Sequence, residues 1–268
     1  NCTNDPAASH VRYAGRLSQA EFAMRFHDAD ALQSTLNVLE PYIDEPEFTT
    51  RERVEFHLFR SHLKEFRSEF DGAFLELEAA RSDISNRQWS DRESKLEVKT
   101  FVDAREGQLH LKLGDRSNAT RLLRGVVWVY KNELEYADPA KIAKYPAKYA
   151  LFAFAAMSYA DALVMDGSEQ DRDRARKIYQ LIKGQLNKGG AGLDPVLHPC
   201  LLTSLNQLGV LEYASGNLEA AQRYLDNAYR LAVQDMKSTL RAAEVGVLLG
   251  WIAYEREDLT TSKTRFED

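Results

Sequence analysis

A chain of 268 residues with 35 Lys+Arg against 41 Asp+Glu carries a formal charge of −6, and 44% of it is apolar. That balance excludes wholesale disorder and a collagen-like repeat, and the absence of a basic excess argues against a dedicated nucleic-acid binder. Two cysteines, Cys2 and Cys200, are too few for a disulfide framework.

The chain opens on Asn1-Cys2-Thr3-Asn4-Asp5-Pro6, polar and turn-prone, so residues 1–8 are expected to form a flexible tail. Two readings of it stand side by side. Cys2 followed by a polar tether is similar to the lipid-anchored start of a bacterial lipoprotein, although Asn1 is not the small residue usual before such a cysteine. The alternative is a frayed terminus, which leaves the compartment open between cytoplasm and bacterial cell envelope. Downstream, helix signals dominate and no run alternates with period two between turn residues. Ser18-Gln19-Ala20-Glu21, Thr49-Thr50-Arg51-Glu52 and Ser90-Asp91-Arg92-Glu93 each fit a capping box. Asp138-Pro139 and Asp194-Pro195 place a capping side chain before an N1 proline. Breaks fall near His27-Asp28, Glu45-Pro46, Arg67-Ser68, Gly114-Asp115, Asp138-Pro139, Asp166-Gly167, Gly189 to Pro195, Gly216-Asn217 and Glu257-Asp258. The short connections predict antiparallel helical hairpins. Residues 149–165, the most apolar stretch, are shorter than the roughly 20 residues of a membrane span and contain Asp161; they predict a helix buried on most sides. No low-complexity linker divides the chain, so one continuous domain over 9–268 is expected.

Small residues recur in step. The clearest segment runs Leu205-Asn206-Gln207-Leu208-Gly209, then Tyr213-Ala214-Ser215-Gly216-Asn217-Leu218-Glu219-Ala220-Ala221, then Leu225 and Ala228. It resembles the tetratricopeptide (TPR) repeat, in which a small residue in each helix lets the two approach and a short turn sets their angle. Glu212 stands where the pattern usually has an aromatic. Gly107, Gly114, Ala119 and Leu123 repeat the offsets, as do Gly250, Asp258, Ser262 and Phe266. Weaker copies are Ala20 with Leu32, Leu36 and Leu39, Ser61 with Ala73 and Leu77, and Ala160 with Gly167 and Ala175, the last with three extra residues in its turn. All spacings between the small first-helix residues exceed the consensus 34. Leu249-Gly250-Trp251-Ile252-Ala253-Tyr254-Glu255-Arg256 before Asp258-Leu259 is also similar to the superhelical region of MalT-type regulators. The resemblance implies an all-α solenoid, a right-handed superhelix of about six hairpins, whose first helices line the concave side.

Carried over unit by unit, the family's groove positions fall on His62, Gln108, Asp161, Val210 and Trp251; on Leu58, Ala104, Met157, Asn206 and Val247; and on Glu65, Leu111, Val164, Tyr213 and Tyr254. The Lys/Arg clamp for C-terminal carboxylates used by chaperone-binding members is missing. The residues expected to meet a partner are Arg105, Gln108, Asp161, Asn206, Tyr213, Trp251 and Tyr254. Trp251 and Tyr254 have the alternative of burial against the preceding repeat. Catalytic signals are poor. The six histidines form no metal-binding pair with helical spacing. Gly189-Gly190-Ala191-Gly192 lacks the Lys-Ser/Thr of a phosphate loop, and His198-Pro199-Cys200 offers no base for its thiol. The expectation is therefore a noncatalytic scaffold binding a protein or peptide on its concave face, without cofactor, metal, nucleic acid or membrane span. The alternative is a small-molecule-sensing or transport-associated binding module.

Overall fold

A computed structural model of the chain describes residues 6–25, 28–89, 91–136, 138–165 and 167–267. Cys2 and most of the expected tail, the break residues His27 and Asp166, and the capping candidate Ser90 lie outside the described residues, as does the Phe266 side chain. Among the described residues there are thirteen α-helices and no strand. Five helix pairs recur: α1 (Pro6–Arg25) with α2 (Ala29–Leu39), α3 (Thr50–Phe66) with α4 (Phe70–Asn86), α8 (Pro146–Val164) with α9 (Glu169–Asn187), α10 (His198–Ala214) with α11 (Leu218–Arg230), and α12 (Thr239–Glu255) with α13 (Leu259–Glu267); α5 (Arg92–Lys112) packs on α4, and α6 (Arg116–Glu135) packs on α8. The short α7 (Pro139–Lys144) precedes α8. Contacts divide the chain into two compact units, residues 1–113 and 114–268.

The repeat register follows from three offsets. The small first-helix residues Ala20, Ser61, Gly107, Ala160, Gly209 and Gly250 are all buried. Twelve residues on, Leu32, Ala73, Ala119, Ala221 and Ser262 are buried on the second helices, and Ala175 takes this place after the three-residue longer turn. Seven residues on, the chain turns through the left-handed region at Ser68, Gly114, Gly216 and Glu257, with φ of 60°, 77°, 77° and 60°. Glycine adopts that conformation without steric cost, and the two non-glycine residues adopt it where the same turn must be made. Gly209 shows why small residues are required: a Cβ there would stand 2.6 Å from Cγ of Leu225.

Capping sets several boundaries. Thr49 accepts from the Glu52 N–H while Glu52 accepts from the Thr49 N–H, a complete capping box. Asp138 and Asp194 cap as expected, Asp138 before α7 and Asp194 before the 3-10 turn 195–197. Asp91 caps α5. Ser18 is a correction: α1 runs through it, and its hydroxyl donates back to the Ala14 carbonyl at 3.0 Å. Glu212 also finds its reason. It is buried and accepts from Arg176 Nε at 3.0 Å and Asn217 Nδ2 at 2.8 Å, tying α9 to the α10–α11 turn where an aromatic would only fill space. In the first unit, buried Arg53 donates to the Glu45 and Phe48 carbonyls and pairs with Asp44, anchoring the α2–α3 connection.

Candidate ligand-binding face

The first helices of the second unit turn one stripe toward solvent. On α12 the stripe carries Leu240, Glu244, Val247, Trp251 and Tyr254; on α10 it carries Thr203, Asn206, Val210 and Tyr213. Between these helices lies a cavity of about 270 Å³ with walls of Val210 and Tyr213 from α10, Leu248, Trp251 and Ile252 from α12, and Leu225 of α11. Leu225 is the residue that Gly209 admits, so the close approach of α10 and α11 also shapes the cavity. Trp251 is 50% and Tyr254 55% exposed, their rings edge to face at 6.1 Å. Single exposed apolar residues need no explanation, but an aromatic pair beside an apolar cavity is characteristic of a binding surface. Tyr213 donates its hydroxyl to Glu255 Oε1 at 3.2 Å. Partial desolvation and that carboxylate raise the phenol's pKa, which keeps it a donor across the physiological range. Asn206, one turn before Val210, has a buried Oδ1 that accepts no hydrogen bond among the described residues. Such an acceptor is costly unless a donor reaches it.

The neighbouring helix α8 extends the apolar character. Leu151 and Phe154 are 39% and 43% exposed at the same stripe. Asp161 is only partly accessible and accepts the Tyr179 hydroxyl at 2.5 Å across the α8–α9 hairpin. Burial raises its carboxyl pKa, against the lowering by that hydrogen bond. Its observed role is therefore a hairpin contact, where the sequence placed it facing a partner. Met157, another groove position by offset, is buried.

In the first unit the equivalent stripe is self-satisfied. Arg105 is 5% exposed, pairs with Glu65 of α3 and donates to the Ser61 carbonyl at 3.2 Å. Lys112 also pairs with Glu65, and His62 Nδ1 stands 3.8 Å from it. Burial pushes the Glu65 carboxyl up, but Arg105 and Lys112 outweigh it and hold the group below its usual range. Toward the N-terminal ends of α3 and α5, Arg51 bonds Glu55 at 2.9 Å and reaches Glu97 at 3.8 Å. Arg105 is thus corrected from a cation awaiting a ligand to half of a buried ion pair. Gln108 is half-buried on α5.

Of the seven expected residues, the structure sets Tyr213 and Trp251 in the wall of the α10–α12 cavity, with Tyr254 edge to face on Trp251 and Asn206 on the same stripe, and places Arg105, Gln108 and Asp161 elsewhere. The expectation missed Leu248 and Phe154. Phe154 was within reach, because it lies six residues before Ala160, one further turn along the same stripe. Among the described residues no group of three or more His, Cys, Asp or Glu is placed to hold a metal ion, and no helix is long and apolar enough to cross a membrane.

No protein-family model matches the chain, and no curated protein matches it. Solved structures do. The apo form of the quorum sensor NprR from B. thuringiensis superposes with a TM-score of 0.66 at 14% identity, over 96% of this chain and 63% of that one. The apo form of RapI gives a TM-score of 0.62 at 10% identity, over 94% of this chain and 62% of RapI. NprR in complex with its cognate peptide NprX gives 0.56 at 14% identity, over 96% and 65%. BtubC (BKLC) from P. vanneervenii gives 0.58 at 14% identity, over 95% and 87%. The chain thus spans less than two thirds of NprR and RapI. At these identities the likeness shows the fold alone: an all-α, TPR-like helical repeat.

Proposed function

We propose that the solvent-facing stripe of α10 and α12 binds an extended peptide segment of a partner, and that the chain works as a noncatalytic binding scaffold. The observation that carries this reading is the apolar cavity between Tyr213 and Trp251, open to solvent and flanked by exposed Tyr254. An apolar side chain entering it removes surface from water at about 25 cal/mol per Å². The likeness to NprR, which was solved with its cognate peptide NprX, lends support. Gln108 is kept as a proposed contact of the first unit. The test is selection from a displayed library of random heptapeptides. Peptides enriched on the wild type should weaken by more than about 1 kcal/mol on Trp251→Ala or Tyr213→Ala. Unchanged affinity on both variants rejects the assignment. No enrichment, together with a melting shift by a small metabolite, favours the small-molecule module instead.

A further inference from the structure

We propose that the edge of the α10–α12 cavity is a subsite for a cationic side chain, a lysine or arginine of the bound peptide, read by Glu255; this rests on the peptide-binding reading above. Glu255 follows Trp251 by four residues on α12, so the carboxylate and the indole share one helix face. From the facing helix, the Tyr213 hydroxyl donates to Glu255 Oε1 at 3.2 Å, and Tyr213 itself lines the cavity. The carboxylate is thereby held beside the cavity.

Charge complementarity identifies the occupant. Three acids stand on α10 and α12. Glu212 pairs with Arg176 at 3.0 Å and Glu244 with Arg241 at 2.9 Å. Glu255 is exposed, and among the described residues no cation comes within ion-pair distance of it; the adjacent Arg256 donates instead to Gln222 at 2.5 Å. A purely apolar ligand covering this edge would strip water from an uncompensated carboxylate, which is unfavourable. A lysine or arginine resolves that conflict. Its methylene stem lies along Val210, Leu225, Leu248 and Ile252, and its head meets both Glu255 and the electron-rich faces of Tyr213 and Trp251. An acidic side chain at the same point is repelled.

The experiment repeats the heptapeptide selection on the wild type, Glu255→Gln and a Glu244→Gln control. The wild type and the control should enrich Lys or Arg at one recurring position among apolar residues. Glu255→Gln should keep the apolar positions and lose the basic one. A selected lysine peptide should bind Glu255→Gln about fivefold more weakly, whereas its norleucine counterpart binds both proteins alike. Wild-type sequences that depend on Trp251 but show no basic position overturn the subsite and leave the groove standing, as does a basic position that persists in Glu255→Gln. Failure of the wild type to enrich any sequence overturns both.

Discussion

The same stripe of the repeat is built in opposite ways in the two units. On α3 and α5 it carries Glu65, Arg105, Lys112, Arg51, Glu55 and Glu97, and their charges answer one another within the unit. On α10 and α12 it carries Val210, Tyr213 and Trp251 in the wall of a cavity and exposed Val247 and Tyr254 beside them, with one carboxylate that no cation among the described residues pairs. A shared backbone register therefore does not confer a shared surface. Small residues at fixed offsets dictate how helices pair, whereas residues one or two positions away decide whether a face is closed by its own ion pairs or left open to a ligand.

The sharpest way to break this comparison is to remove the ion pair. Arg105→Ala leaves Glu65 buried with only the more exposed Lys112, and should cost about 3 kcal/mol in urea unfolding. The double change Glu65→Leu with Arg105→Met should recover most of that, since well-packed apolar residues can replace a buried pair. If Arg105→Ala is neutral, the pair does not hold the first unit together. The second unit has its own point of failure. Gly209→Ala drives a methyl against Leu225 and should cost about 1–2 kcal/mol after the helix-propensity gain. Gly184→Ala, on α9 with open space around it, should stabilise by about 0.5–1 kcal/mol.

Acid should separate the units. The folded-state pKa of Glu65 lies below its ordinary 4.5, so its contribution is present above 4.5 and lost as pH falls through the depressed value. The folded-state pKa of Asp161 is raised above its ordinary 3.8, because the buried acid prefers its proton. Its contribution is present below 3.8 and lost as pH rises through the raised value. Hydrogen-exchange protection, corrected for intrinsic rates, should therefore fall in α3 and α5 before α8 and α9 as pH drops below 4.5. Asp161→Asn, which keeps an acceptor for Tyr179, should stabilise the protein at pH 7 and confer no gain below pH 3.8. Equal loss in both units would contradict the assignment of these two carboxyls. Smallest of all, Trp251→Ala should change stability by less than about 0.5 kcal/mol, as befits a half-exposed side chain outside the core.

How far the sequence could reach follows the same division. Gly209, Gly216, Ala221 and Leu225 announce a helix pair because close approach and a left-handed turn admit few residue types, and the repeats at Ser61, Ala160 and Gly250 were legible by offset alone. That Tyr213, Trp251 and Tyr254 share one stripe was legible for the same reason, because positions on one helix face are a fixed number of residues from the small one. The fates of Arg105 and Asp161 were not. Whether a charge on that stripe meets solvent or a partner depends on Glu65, 40 residues before Arg105, and on Tyr179, 18 after Asp161. No periodicity within one helix encodes such cross-helix pairs. The turn around Lys237, with φ of 50° after a π-helical segment at Leu231–Asp235, also has no glycine or proline to announce it.

The most direct test of the open face is hydrogen exchange by mass spectrometry, with and without a saturating peptide enriched by the selection. Slowed exchange in α10 and α12, unchanged exchange in α3 and α5, and loss of the effect in Trp251→Ala are the predicted result. Protection in α3 and α5 with none in α10 and α12 would contradict the account.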